Sequence, residues 1–275
     1  MATALITGGT SGIGAEFARQ LAERGYDLVL VARNPERLAT SSEQLHSRFG
    51  INVETIAADL AIRADASRVA ERIEDSLRSI DVVINNAGLG VHTKLTSTDV
   101  AAHEHAFDVM CRAVLIIGAS AGRAMRARGA GRIINISSLQ SLLTTGSYSA
   151  MKAWVTAYSQ SLAVELAGTG VTVTAVLPGW VSTEWHARAG VKTSSIPDWL
   201  WTTPESVARI ALSDSDRGKV LSIPTGRYKA IGVVLRHLPR GTVRLISQKI
   251  SHRRREDPAE SPALGPSHSS HSKDS

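Results

Sequence analysis

Tyr148 and Lys152 stand four residues apart in Tyr148-Ser149-Ala150-Met151-Lys152. On a helix that spacing places both side chains on one face, one turn from each other. A neighbouring ammonium favours phenolate over phenol and lowers the phenol's pKa from its ordinary value of about 10. The pair is therefore suited to proton transfer near neutrality. Many exposed helices carry this spacing by chance, so its surroundings decide. A serine-rich strand end, Asn135-Ile136-Ser137-Ser138, precedes it. Near the N-terminus, Thr7-Gly8-Gly9-Thr10-Ser11-Gly12-Ile13-Gly14 follows a strand pattern and opens a helix. Glycines there permit tight turning and close approach of a pyrophosphate to the helix N-terminus.

Alternating elements must position these groups. Continuous β-branched runs at 28–31, 82–84, 132–136 and 171–176 read as buried strands. Helical patterns over 15–24, 35–48, 64–79, 100–128 and 148–167 lie between or beside them, several stopping at glycine. Repeated strand–helix–strand units predict an α/β fold built on a doubly wound parallel sheet with helices on both faces. Right-handed crossovers then bring the strand C-termini, and the ligand crevice, to one end.

The second strand closes with Ala32-Arg33. An acidic residue at this point would bind the ribose 2′-hydroxyl of NAD, whereas Arg33 can pair with a 2′-phosphate, which favours NADP over NAD. Asp59 either accepts from the adenine amino group or caps the next helix. Asn85-Asn86-Ala87-Gly88 closes the fourth strand. Asparagines here can tie loops together, while Ala87 and Gly88 leave room for the cofactor.

The bulk properties narrow the class. Hydrophobic residues make up 43% of the 275, enough for a substantial core. No run of eighteen or more apolar residues predicts a membrane span. The N-terminus reads as a first strand rather than a signal peptide. Cys111 is the single cysteine, which excludes an internal disulfide and favours a reducing, cytoplasmic setting. His92, His103 and His105 lack partners at metal-ligand spacing, so no metal is expected. The net charge of +6 is concentrated late, in Lys249 and Arg253-Arg254-Arg255. Such runs are usually solvated; an anionic membrane surface is the main functional alternative, and nucleic acid a weaker one. Trp180, Trp185, Trp199 and Trp201 cluster around an irregular stretch from 181 to 201 that reads as a substrate lid. Residues 256–275 read as a disordered tail.

Taken together, TGGTSGIG at 7–14, NNAG at 85–88, Ser138, YSAMK at 148–152, and Pro178-Gly179 with Thr183 resemble the short-chain dehydrogenase/reductase family over roughly residues 3–225. The resemblance implies a Rossmann-like domain of seven parallel strands, a homodimer or homotetramer, and a carbonyl/alcohol substrate. It implies Tyr148 as general acid or base, and Lys152 as the group that lowers its pKa and holds the nicotinamide ribose. Ser138 would bind the substrate oxygen. Thr183 and the backbone near Val181 would orient the carboxamide. Two departures stand out. Met110 follows Phe107-Asp108-Val109 where the family places an asparagine that holds a proton-relaying water. The stretch from Ser138 to Tyr148 is short, which leaves Ser137 and Ser141 as alternatives to Ser138.

These readings define a catalytic NADP-binding domain over 1–225, a basic amphipathic extension over 226–255 and the tail. The expected function is NADP(H)-dependent interconversion of a lipophilic ketone and its secondary alcohol. A cofactor-binding sensor or scaffold without turnover is the rival. The basic extension could make a peripheral membrane contact or pack on the substrate pocket.

Overall fold

A computed structural model of the chain describes residues 2–91, 93–182 and 197–255. Its centre is a seven-stranded sheet: β1 (Thr3–Thr7), β2 (Asp27–Ala32), β3 (Val53–Ala57), β4 (Val82–Asn85), β5 (Gly131–Ile136), β6 (Val171–Val176) and β7 (Leu221–Ser222). The order is β3-β2-β1-β4-β5-β6-β7, and all neighbours run parallel. The strands alternate their side chains between two apolar layers. Ala4 and Ile6 meet Phe17 and Leu21 of α1 (Gly12–Glu23) and Val207 and Ala211 of α6 (Pro204–Asp216). Leu5 and Val83 meet Val69 of α3 (Arg63–Glu74) and Ile117 of α4 (Ala101–Arg128). Burial on both faces explains why these strands read as continuous apolar runs. The fold is Rossmann-like, and the strand order reverses between β1 and β4, where a crevice must open.

The helices differ from the expected ones at specific points. α1 starts at Gly12, within the glycine-rich turn rather than after it. α2 (Pro35–Phe49) is closed by Gly50 in the left-handed region. α3 stops at Glu74, short of the expected 79, because Asp75 turns extended and its carboxylate accepts from Leu77 N at 3.0 Å. That Asx turn competes with the helix for the same backbone. α4 contains a π-helical turn at Asp108–Arg112. By length and composition α4 qualifies as a membrane span, contrary to the sequence expectation. Its apolarity has another cause: Ile117, Ala121 and Met125 are fully buried against the sheet layer.

α7 (Gly226–His237) and α8 (Arg240–Arg255) follow β7, with Pro239 between them. Both pack on the body. Tyr228 is 3% exposed; its hydroxyl donates to Leu200 O and accepts from Trp180 N. Ser247 is buried and its Oγ accepts from Thr144 N at 3.0 Å.

Two buried polar networks hold the crevice in shape. Thr7 Oγ1 donates to Ile84 O and accepts from the backbone N–H groups of Asn86 and Ala87, which joins the end of β1 to the loop after β4. Asn85 Nδ2 donates to Asn135 Oδ1, Asn135 Nδ2 to Ser159 Oγ, and Ser159 Oγ to Val155 O. This chain links β4 and β5 to α5 (Ser147–Glu165). Thr7→Val keeps the shape at position 7 but removes the hydroxyl from two N–H groups. We expect it to lower unfolding free energy by about 1–3 kcal/mol, measured by urea denaturation.

Candidate active site

A cavity of about 400 Å³ opens at the C-terminal ends of the strands. One end is formed by the glycine-rich turn. Gly8 and Gly12 adopt φ of 67° and 54°, a region that L side chains rarely enter. A Cβ at Gly14 would lie 2.1 Å from Gly8 O, so the turn closes only on glycine. Ser11, the N-cap of α1, makes no side-chain capping bond. The first backbone N–H groups of α1 therefore have no side-chain cap at the cavity wall, as a phosphate site requires. Asn86 Nδ2 donates to Thr7 O and Gly8 O and fastens this turn to the loop carrying Ala87 and Gly88. This cradle fits the pyrophosphate of a dinucleotide.

The other end gathers Ser138, Tyr148 and Lys152. Tyr148 and Lys152 are on one face of α5, with Lys152 Nζ 5.7 Å from the centroid of the Tyr148 ring. Lys152 is 5% exposed and donates to Ile136 O at 2.8 Å. Desolvation draws its pKa down from 10.5 to about 8. The three serines separate clearly. Ser137 is buried and bonds to Lys152 O and Thr156 Oγ1, both at 2.7 Å. Ser141 Oγ is buried and does not line the cavity. Ser137 and Ser138 both line the cavity, but the Ser137 hydroxyl is already engaged, whereas Ser138 is half-buried and caps a 3-10 turn through Gln140 N.

Of the remaining site candidates, Gly8, Ser11, Gly12, Ile13, Asn86, Ala87, Gly88, Pro178, Gly179 and Val181 also line the cavity. Thr7, Gly14, Arg33 and Asp59 do not. Thr7 and Gly14 are buried behind the cradle. Arg33 is exposed beyond the end of β2. Asp59 Oδ1 accepts from Ala61 N, an Asx turn ahead of α3. Thr183 and Trp185 lie outside the described residues, as does most of the predicted lid. At the margins of that segment, Val181 bridges Thr202, and the Trp180 and Trp201 rings are 6.1 Å apart.

The sequence reading missed most of the apolar wall. Leu139, Leu143, Leu200, Tyr228, Ile231, Leu235 and Ile250 complete the cavity, the last four from α7 and α8. Gly179 is the link: a Cβ there would lie 2.0 Å from the Tyr228 ring. Met110 is fully buried; its Sδ and Lys152 Nζ would each lie 3.6 Å from a Cβ on Gly88. Burial pushes the Cys111 thiol up to about 11, which leaves it un-ionised. Among the described residues no group of three or more His, Cys, Asp or Glu could hold a metal ion.

The short chain dehydrogenase family model matches residues 2–192, which include both the cradle and the Ser138–Tyr148–Lys152 group. The chain belongs to the short-chain dehydrogenase/reductase family. An uncharacterized oxidoreductase of Staphylococcus saprophyticus is 35% identical over 194 residues, 67% of this chain and 83% of the relative. A short-chain dehydrogenase from Sphingobium yanoikuyae, solved in complex with NADPH, is 30% identical with a TM-score of 0.79, covering 96% of this chain and 99% of its own. The bulky-bulky ketone specific alcohol dehydrogenase from Comamonas testosteroni is 28% identical with a TM-score of 0.74, covering 87% and 96%. The present short-chain dehydrogenase/reductase is thus an oxidoreductase by family.

The serine geometry has a direct consequence. If Ser138 donates to the substrate oxygen, as the family resemblance implies, Ser138→Ala is expected to lower turnover by about 10²-fold or more. Ser137→Ala is expected to keep turnover within a few-fold and to lower stability by about 1–3 kcal/mol. Steady-state rates and urea denaturation of both variants check this.

Proposed function

We propose that the protein is an NADP(H)-dependent oxidoreductase that interconverts a lipophilic ketone and its secondary alcohol. The observation that carries this reading is the convergence of Ser138, Tyr148 and Lys152 at the polar end of an otherwise apolar cavity. The wall of Leu139, Leu143, Leu200, Ile231, Leu235 and Ile250 suits a bulky apolar substrate. The ketone named for the Comamonas testosteroni relative is consistent with that.

The nicotinamide cofactor supplies the hydride when bound. The protein's own part is orientation and proton transfer. Ser138 Oγ donates to the substrate oxygen and steadies its developing negative charge. Tyr148 delivers a proton to the same oxygen in reduction and removes it in oxidation. Lys152, held by Ile136 O, keeps a positive charge near the Tyr148 ring and favours the phenolate that remains. Gly8, Ser11, Gly12 and Ile13 would hold the pyrophosphate, Lys152 the nicotinamide ribose, and Pro178, Gly179, Val181 and Thr183 the carboxamide side.

NADP is favoured over NAD. Ala32 offers no carboxylate to a 2′-hydroxyl, and Arg33 is exposed at the same strand end. Arg37 lies close by, donating to Thr10 O at 3.4 Å. The NADPH complex of the Sphingobium yanoikuyae relative supports this preference. The single, buried Cys111 supports a cytoplasmic setting. Phe107 and Leu115 on α4 and Val164 on α5 are exposed and apolar, which supports a homodimer or homotetramer through those helices.

Met110 favours one rival, a protein that binds NADP(H) without turnover. Absorbance at 340 nm of NADPH or NADH with a panel of bulky ketones separates the two. We expect ketone-dependent oxidation of NADPH in preference to NADH, and its loss by about 10²-fold or more in Tyr148→Phe. NADPH binding without turnover by the parent protein would establish the rival. A second expectation concerns pH. Lys152 is charged below its pKa of about 8 and neutral above it. Ketone reduction should therefore decline as pH rises through about 8, and kcat/KM measured across pH 6–10 checks it. A profile flat to the alkaline end would mean that Lys152 stays charged.

A further inference from the structure

Residues 218–255 contain ten lysines and arginines and no aspartate or glutamate. Lys219 is anchored on Asp214 at 2.8 Å and Arg227 donates to Trp201 O. The rest of the charge lies along α7 and α8. The inner faces of these helices are fully engaged: Tyr228, Gly232, Val243 and Ser247 are buried, and Ile231, Leu235 and Ile250 wall the cavity.

Their outer faces carry a different pattern. Ala230, Val233 and Val234 recur at i, i+3 and i+4 and are all exposed, Val233 by 56% and Val234 by 57%, and the strip ends at the exposed, polar His237. Lys229 and Arg236 run along one margin of that strip. On α8, Arg240, Arg244 and Lys249 are exposed around Leu245, which is 62% exposed. An apolar strip bordered by cations is the pattern of a helix lying in a bilayer interface. A second copy of the chain is a poor occupant, because a two-fold axis would press two acid-free basic faces together. A nucleic acid would use the cations but has no use for exposed valines and leucine, and among the described residues this face offers no Phe, Tyr or Trp for stacking.

We propose that the outer face of α7 and α8 docks on an anionic lipid surface. The helices that wall the substrate cavity then rest against the bilayer, from which a lipophilic ketone can be drawn; only this last step rests on the function proposed above.

The test is co-sedimentation of the full-length protein with phosphatidylcholine vesicles, with and without phosphatidylglycerol. Binding should require phosphatidylglycerol and weaken with salt. Arg240→Gln and Arg244→Gln should each weaken it by roughly fivefold, as expected for one cation near an anionic surface. The triple variant Val233→Ser, Val234→Ser, Leu245→Ser should weaken it by about tenfold or more while its thermal unfolding and its turnover of a water-soluble ketone stay at the parent level. Three results would overturn the proposal: no binding, equal binding to neutral vesicles, or serine variants that bind anionic vesicles as well as the parent, which would reduce the face to a polyanion contact. A dimer that the serine substitutions dissociate, without vesicle binding, would assign the face to a second copy instead. Vesicle binding by a protein that turns over no ketone would leave the docking intact and sink the catalytic reading alone.

Discussion

A lysine ammonium held at 5% exposure is the constraint on which this site depends. Removing such a charge from water costs several kcal/mol unless it is hydrogen-bonded. The fold answers with a fixed acceptor, the carbonyl of Ile136 at the last position of β5. That acceptor is useful only if α5 keeps a constant distance from β5. Ser137 supplies one tie by bonding to the Lys152 carbonyl and Thr156. The Asn85–Asn135–Ser159 chain supplies another, deeper in the layer. With β5 and α5 locked together, Ser138 and Tyr148 meet at the cavity without further adjustment. The buried polar groups of these two ties thus serve positioning, with Asn85 Oδ1 the one atom of the Asn85–Asn135–Ser159 chain that lacks a partner.

The glycine-rich cradle and the apolar wall of the cavity are joined by close packing rather than by charge. Gly14 allows the turn after β1 to fold onto Gly8, and Asn86 fastens that turn to the loop after β4. At the far side, Gly179 admits the Tyr228 ring, whose hydroxyl bridges Trp180 and Leu200. One aromatic residue of α7 therefore fixes the loop after β6 and the apolar wall at once. A basic segment that looks like an appendage in sequence is in this way part of the cavity.

The legible features were those with local signatures. Continuous β-branched runs marked β2, β4, β5 and β6 and predicted the parallel sheet, while its seven strands were implied by the family resemblance. The glycine-rich turn and the Tyr148–Lys152 spacing placed both ends of the cavity, because each depends on residues adjacent in the chain. Less legible were features that depend on distant partners. β7 is two residues long and pairs only where β6 ends, so no period announces it. The cavity wall in α7 and α8 includes Tyr228, Ile231, Leu235 and Ile250, and their helical spacing alone does not name the surface they cover. α4 passed as an ordinary amphipathic stretch because its apolar content is set by burial in the sheet layer. Thr7 reads as a ligand contact from its place in the motif, yet its hydroxyl is occupied by three backbone partners.

Met110 shows how the surrounding geometry limits the effect of one departure. Its side chain is fully buried in the π-helical turn of α4, beside Gly88 and on the approach to Lys152. A thioether offers no donor and only a weak acceptor, so no proton reaches the lysine through this residue. Burial draws Lys152 down to about 8. Tyr148 and Lys152, however, both line the cavity, together with the polar side chains of Ser138, Gln140 and Thr145. Thr145 Oγ1 lies 3.4 Å from Gln140 Oε1 and 2.6 Å from Ser149 Oγ, so hydroxyls and an amide border the cavity close to Tyr148. Proton exchange in this arrangement has a polar boundary on the cavity side and an apolar one on the α4 side. The departure at Met110 therefore leaves the Ser138–Tyr148–Lys152 arrangement, which β5 and α5 hold, in place, and in the proposed reaction a proton would have to reach Lys152 from the cavity side.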